Sequence, residues 1–408
     1  MYNEHIYHDY INAENKEKKM EDNTNKIVIH LAGDSLVQGY KPEEFIGGWG
    51  QYLPWFFDSD KVEVKNYAKG GRSSRSFINE GRLEQIKREI KKGDYLFIHF
   101  CHNDDATKKK DTLHNRLTPL GNPDETGRFP VVKGEPVPTD LMPAEFFIEL
   151  TKKSRYMERA MIDGAYDTLS QYGDYYYPYS ENGVMGTYKW FLLQYIRAAR
   201  AAKAIPVLIT PPPRAVFNRD DIHIKDGNGL HGGDNFAYIR AIRQLAKERE
   251  VLILDTFNEI RNVYEALGKR DAHYLTAIKS GVLSGKWPED YVKAADNPAT
   301  LQEDTHLNKY GAFLMAARLC EDILIYITHD ITKNGGENFL PLKDIIKLVP
   351  SDRVEPPAPL LARESVFKKY FRYDVMPSKK EDVQEEARDA ESLNKTEQTA
   401  EDAENKQQ

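Results

Sequence analysis

The chain has 408 residues, 40% of them hydrophobic and 30% charged, and a formal net charge of -7. This is enough to bury a full core in one large domain or two, while the acidic balance, with Lys and Arg scattered among Asp and Glu, argues against a nucleic-acid partner. The only two cysteines, Cys101 and Cys320, lie in separate apolar runs, so they read as buried thiols rather than a disulfide framework or a zinc site.

The first twenty residues, MYNEHIYHDYINAENKEKKM, carry acids and amides where a secretory signal needs a basic start and an apolar core, and no run approaches a membrane span. The expectation is a cytoplasmic chain with an N-terminal extension over 1–25 and no membrane partner. Five apolar runs of strand length follow: Lys26 to Leu31, Val62 to Asn66, Tyr95 to Phe100, Ile205 to Ile209 and Val251 to Leu254. Helix-period segments such as EGRLEQIKREIKKGD and YKWFLLQYIRAARAAKA separate several of them. This alternation predicts an α/β fold, a parallel sheet with helices on both faces and ligands at the carboxyl ends of its strands.

Two stretches break the rhythm. Residues 106–186 hold no clear strand, several prolines and the tyrosine-dense YDTLSQYGDYYYPYSENG, and a stretch this long between two sheet strands is usually functional or disordered. Pro211 to Asn235 follows the fourth strand with TPPPRAVF and HIKDGNGLHGGDN. Both read as elaborations of the rim above the sheet, within a domain spanning 26–376. Residues 377–408 lack aromatics and are dominated by charged and amide residues, so they read as a disordered tail.

Four blocks can carry chemistry. In IVIHLAGDSLVQGY, Ser35 follows a strand and a Gly-Asp pair at what reads as a helix start, where its hydroxyl is either an N-cap or a nucleophile aimed at the ligand edge. A serine nucleophile needs a base, and His306 in LQEDTHLNKYGAFLMAARL sits in what reads as a loop on the same edge, with Glu303 and Asp304 close before it. The plain alternative there is a capping segment with Thr305 or Asn308 as cap. IHFCHNDD offers Asn103, whose amide can donate to a transient oxyanion, or else a metal set from His99, His102, Asp104 and Asp105, disfavoured because His99 should point into the sheet. In NYAKGGRSSRSFINEGR, the Gly-Gly pair exposes backbone N–H groups without the lysine or spacing of a P-loop. Arg72 and Arg75 are substrate contacts or surface ion pairs, the second being the commoner use.

Together, in this order, GDS, AKGGRSSRSF…EGR, HND and THLNKYGA resemble the SGNH, or GDSL, hydrolase superfamily, and more narrowly its rhamnogalacturonan acetylesterase group, over about Lys26 to Ile325. The resemblance implies a flavodoxin-like three-layer α/β/α sandwich with a five-stranded parallel sheet and a serine esterase acting on acetylated pectin-type oligosaccharides without metal or organic cofactor. It makes Ser35 the nucleophile, His306 the general base, and Ser35 N–H, Gly71 N–H and the Asn103 amide the oxyanion hole. Tyr175 and Tyr176 are candidate stacking walls for sugar rings, though tyrosine serves equally well in packing a loop. The chain departs from the family pattern twice: Cys101 stands where Gly is usual, and Glu303 stands where Asp usually precedes the His by three, leaving Glu303 and Asp304 as alternative triad acids. Those departures motivate a rival reading as a catalytically silent carbohydrate-binding protein. A lipid or general acyl hydrolase of the same superfamily is the other rival.

Overall fold

A computed structural model describes residues 26–104, 118, 120–132, 186–225, 236–279, 285–300, 302–329, 336–347, 353–372 and 375. The N-terminal extension, most of the 106–186 insertion with Tyr175 and Tyr176, Asp105, and the acidic tail lie outside the described residues. The strands are β1 (Ile27–Gly33), β2 (Ile46–Gly47), β3 (Val62–Asn66), β4 (Tyr95–His99), β5 (Ile205–Ile209), β6 (Leu252–Leu254), β7 (Thr276–Ile278) and β8 (Gln302–Asn308). The helices that matter for the site and its support are α1 (Trp49–Tyr52), α2 (Ser74–Asn79), α3 (Arg82–Glu89), α4 (Tyr188–Ala201), α5 (Ala237–Arg249), α6 (Thr256–Ala272), α7 (Lys309–His329) and α8 (Glu364–Tyr370).

Five strands form a parallel sheet in the order β3-β1-β4-β5-β6, and they coincide with the five apolar runs to within two residues at either end. Alternation along each strand separates two cores. Ile29, Leu31, Tyr95, Phe97, Val207 and Ile209 pack with α6 and α7, whereas Ala32, Leu96, Ile98 and Leu208 pack with α3, α4 and α5. A sheet apolar on both faces needs a helix layer on each, which makes the three-layer α/β/α sandwich. The chain runs from β1 outward to β3, then crosses to β4 on the other side of β1. The order therefore reverses between β1 and β4, and the carboxyl ends at such a switch point open a crevice.

A second sheet, β2-β8-β7, is antiparallel and was not legible as strands in the sequence. Thr276 pairs with Leu307 but Ile278 pairs with Gln302, so β8 takes five steps where β7 takes two. The excess bulges out of the ladder just before His306. Within the insertion, the segment 120–132 packs on the helix layer: Phe129 is buried among α4 and α5 residues, its N–H donates to the Gln244 side chain at 3.0 Å, and Arg128 pairs with Glu248. That part flanks the helices rather than the rim.

The helix behind β8 is held by a buried charge cluster. Arg318 of α7 pairs with Glu259 of α6, with Asp322, and with Glu321 at 2.7 Å, and also donates to the Tyr370 carbonyl at the end of α8. Glu321 in turn accepts from the Arg372 N–H at 2.8 Å. Replacing Arg318 by Met leaves three carboxylates around a lost cation. Urea unfolding of Arg318→Met should show a loss of about 3–5 kcal/mol, as expected when one partner of a buried ion pair is removed.

Candidate active site

Ser35, Gly71 and Asn103 follow the carboxyl ends of β1, β3 and β4, the neighbouring strands at the switch point. β8 brings His306 to the same place: its Nε2 lies 2.9 Å from Ser35 Oγ, across 271 residues of sequence. The structure thus assembles residues from all four sequence blocks, with two corrections to their local settings. His306 lies on a strand of the antiparallel sheet, not in a loop, and it is Asn308 that caps α7, its Oδ1 accepting from Gly311 N–H at 2.9 Å. Ser35 does not open a helix either.

Residues Asp34 to Gln38 form a single tight turn. Asp34 does the work of a cap: its Oδ1 accepts from Leu36 N–H at 3.0 Å, and its carbonyl accepts from Val37 and Gln38 N–H at 3.1 Å. The turn closes instead of continuing as a helix because α1 is pressed against it. Leu36 carbonyl accepts from Trp49 N–H at 2.8 Å, and a Cβ on Gly48 or Gly50 would stand 2.1 Å from the Gln38 carbonyl or 2.3 Å from that of Val37. The GGWG string is therefore needed for close approach. Tyr40 hydroxyl donates to the Ser35 carbonyl at 2.8 Å, and Asn66 donates to that of Val37 at 2.7 Å.

The donor side is equally built. Gly71 has φ 79, in the left-handed region that glycine tolerates best. Among the described residues neither its N–H nor that of Ser35 has a hydrogen-bond partner. Asn103 donates through its side-chain amide to the Arg72 carbonyl at 3.1 Å, which orients the group. Three donors beside one serine hydroxyl can hold an oxyanion.

Arg72 and Arg75 are both buried rather than on the surface. Arg72 holds Glu80 through Nε at 2.8 Å and the Gly70 carbonyl through Nη1 at 2.8 Å, so it braces the loop instead of reaching for a ligand. The hydroxyl string after it is structural as well. Ser73 caps α2 in a reciprocal pair with Ser76, and Ser74 gives both N–H and Oγ to Asp104. Cys101 replaces the usual Gly without strain, since it is absent from the described residues with positive φ.

Two buried carboxyls lie behind the site; sequence reasoning passed over Asp34 and weighed Asp104 only as a metal ligand. Burial pushes Asp34 and Asp104 up to about 7, against the hydrogen bonds each accepts. Asp34 Oδ2 finds no donor among the described residues; Oδ1 lies 3.9 Å from Nδ1 of the buried His99, which burial pushes down to about 3 and so keeps neutral. His99 meets Trp49 edge to face at 5.6 Å. Among the described residues no group of three or more His, Cys, Asp and Glu gathers as metal ligands would. An Asp directly before a Ser at a strand end is the signal that could have marked Asp34 as the turn's anchor.

The acid next to His306 divides two ways. Among the described residues the Asp304 carboxylate takes a hydrogen bond from Thr305 Oγ1 at 3.0 Å, its carbonyl accepts from Ala215 N–H at 2.8 Å, and its side chain lines a neighbouring cavity. The side chain of Glu303 lies outside the described ones.

Comparison with known proteins agrees with this geometry. Residues 29–122 match the family described as GDSL-like Lipase/Acylhydrolase. The chain is 28% identical over 295 residues to the "Probable rhamnogalacturonan acetylesterase YesY" of Bacillus subtilis, covering 72% of this chain and 91% of that one. It is 28% identical over 319 residues to rhamnogalacturonan acetylesterase RhgT of the same organism, covering 76% and 97%. Against the rhamnogalacturonan acetylesterase of Emericella nidulans it is 42% identical over 98 residues, covering 24% and 36%. The likeness is thus to ester hydrolases of the GDSL, or SGNH, kind, carried by the family match over residues 29–122. The relatives matched over most of their own length are rhamnogalacturonan acetylesterases by name. No helix among the described residues is long and apolar enough to cross a membrane.

The raised carboxyl of Asp34 has a signed consequence. A group whose pKa is higher folded than unfolded binds its proton more tightly in the fold, so its contribution is complete below about pH 4 and is lost as pH rises to about 7. Asp34→Asn keeps the Oδ1 acceptor and removes that loss. In urea unfolding the variant should gain on wild type between pH 4 and pH 7, and a difference independent of pH would refute the assignment.

Proposed function

We propose that this esterase removes O-acetyl groups from rhamnogalacturonan-type oligosaccharides through an acyl-Ser35 intermediate. The 2.9 Å contact between Ser35 Oγ and His306 Nε2, beside the N–H groups of Ser35 and Gly71 that have no partner among the described residues, carries the reading. His306 takes the hydroxyl proton as Oγ attacks the acetyl carbonyl. The oxyanion rests on the N–H of Ser35, the N–H of Gly71 and the Asn103 amide. Proton return from His306 releases the sugar hydroxyl, and a water deprotonated by the same histidine then frees acetate. No step requires a metal.

The substrate class is supported by the names of the relatives and by a cavity of about 670 Å³ that reaches Asp304, two residues along β8 from His306. Its wall holds Lys269 paired with Asp221, and Asp271 paired with Arg270 and Arg363. Paired charges of this kind offer both donors and acceptors to sugar hydroxyls without favouring a net charge. Tyr175 and Tyr176 are retained as stacking residues of the same proposal. Glu303 is the triad acid of choice, because the family spacing points to it and Asp304 is engaged elsewhere.

Acetate release from acetylated pectin and xylan oligosaccharides should favour pectin-derived substrates, and Ser35→Ala should lower turnover by on the order of a thousandfold or more. Unchanged activity in that variant sinks the mechanism; activity that rises with acyl chain length points to a lipid or general acyl hydrolase instead. For the acid, Glu303→Gln should lower kcat on the order of a hundredfold or more, and Asp304→Asn less than about tenfold. The reverse order would move the role to Asp304.

A further inference from the structure

We propose that Gln38 is a positioning residue, whose side-chain amide sets the spacing between the two backbone donors of the oxyanion pocket. The inference rests on the esterase reading above. Gln38 ends the Ser35 turn, its N–H donating to the Asp34 carbonyl at 3.1 Å. Its side chain leaves the turn, Oε1 accepting from Gly70 N–H at 2.6 Å, while two residues further on the Tyr40 hydroxyl donates to the Ser35 carbonyl at 2.8 Å. Gln38 thus ties Gly70 to the turn that carries Ser35, and Tyr40 holds the Ser35 end of that turn. Each of these two side-chain contacts ends at the backbone of a donor residue or of the residue directly before one.

The need for such a brace follows from the sequence. Gly70 and Gly71 form the least restrained dipeptide a chain can have, and Gly71 at φ 79 has neighbouring conformations open to it. The roots of the loop are tied elsewhere, Lys69 N–H to the Gly33 carbonyl at 3.1 Å and Asn66 to that of Val37. Arg72 holds the Gly70 carbonyl from within the loop, and only the Gln38 contact among the described hydrogen bonds joins the turn to the Gly-Gly dipeptide, at the Gly70 N–H. Glycine at 70 permits it, since a Cβ there would stand 3.1 Å from Oε1. An oxyanion donor acts only when held within about 3 Å of the developing charge, and a misplacement of about 1 Å costs roughly a hundredfold. Gln38 is half-buried, so removing its amide leaves the core intact.

The test compares wild type with Gln38→Met, which keeps the length and loses the amide, and Tyr40→Phe, which releases the Ser35 end of the turn. Substrate is p-nitrophenyl acetate, and a small alkylboronic acid serves as the tetrahedral mimic. For Gln38→Met the expectation is a fall in kcat of roughly tenfold to a hundredfold with KM within about twofold. The boronate should bind more weakly by about the same factor, while the pH profile stays in place because the His306 contact is untouched. Tyr40→Phe should show the same split to a smaller degree. Wild-type kcat in Gln38→Met overturns the proposal, as does a loss of kcat that the boronate does not mirror, or one accompanied by a shifted pH profile or a collapse of Tm in both variants. A wild-type enzyme whose turnover is indifferent to Ser35→Ala would instead discard the esterase reading.

Discussion

The hydrogen bond between Ser35 and His306 joins two sheets that share no ladder. Ser35 belongs to the end of a parallel sheet whose register is fixed by two apolar cores, and His306 to a short antiparallel sheet with a bulge in its central strand. A contact of 2.9 Å between side chains 271 residues apart requires both sheets to be held to a fraction of an ångström. Much of what surrounds it is explained by that demand: the glycines pressing α1 onto the Ser35 turn, the Asn308 cap that starts α7 directly after β8, and the charge cluster that anchors α7 to α6 and the C-terminal segment.

A second constraint is the handling of charge. The region behind Ser35 holds Asp34, His99 and Asp104, all buried, and resolves them by suppressing ionisation as well as by hydrogen bonding. Asp34 is costly to bury, yet its oxygens close the turn that presents Ser35 and leave the Ser35 N–H unclaimed. A helix start would have offered similar free N–H groups, but along a helix axis; the turn lets the carbonyl be grasped from the side by Tyr40. Preorganisation of this kind is what electrostatic stabilisation requires, since donors already fixed need no reordering when charge develops.

The sequence was most informative where local pattern and tertiary fold obey the same rule. Runs such as Tyr95 to Phe100 and Ile205 to Ile209 are apolar on both faces and of strand length, and a buried parallel strand has no other way to look. Periodicity also marked α3 and α4. It failed for β8, because QEDTHLN carries polar residues throughout, is paired to only a few neighbours and is broken by a bulge, so neither alternation nor β propensity survives in it. Ser35 and His306 were readable as types in the right order along the chain. What Arg72 and the serines after it do was not, because a buried Arg-Glu pair and a surface one are spelled alike. The distinction lies in burial, which depends on residues as distant as Tyr195, whose hydroxyl donates to the Ser74 carbonyl.

The same reasoning bears on Cys101 and Glu303, the two places where the chain leaves the pattern of the family it resembles. A glycine in such a block is needed only where the backbone takes positive φ or where another atom approaches too closely for a side chain. Cys101 has an ordinary φ and a fully buried thiol, so the backbone leading to Asn103 is carried by a small apolar residue at no conformational cost. Glu at position 303 adds a methylene between backbone and carboxylate. The bulge in β8 supplies the slack in the same place, since residues outside a regular ladder can shift by part of a residue without disturbing a neighbour. Both departures therefore fall where the local backbone can absorb them, which is why they need not silence the proposed acyl-transfer site.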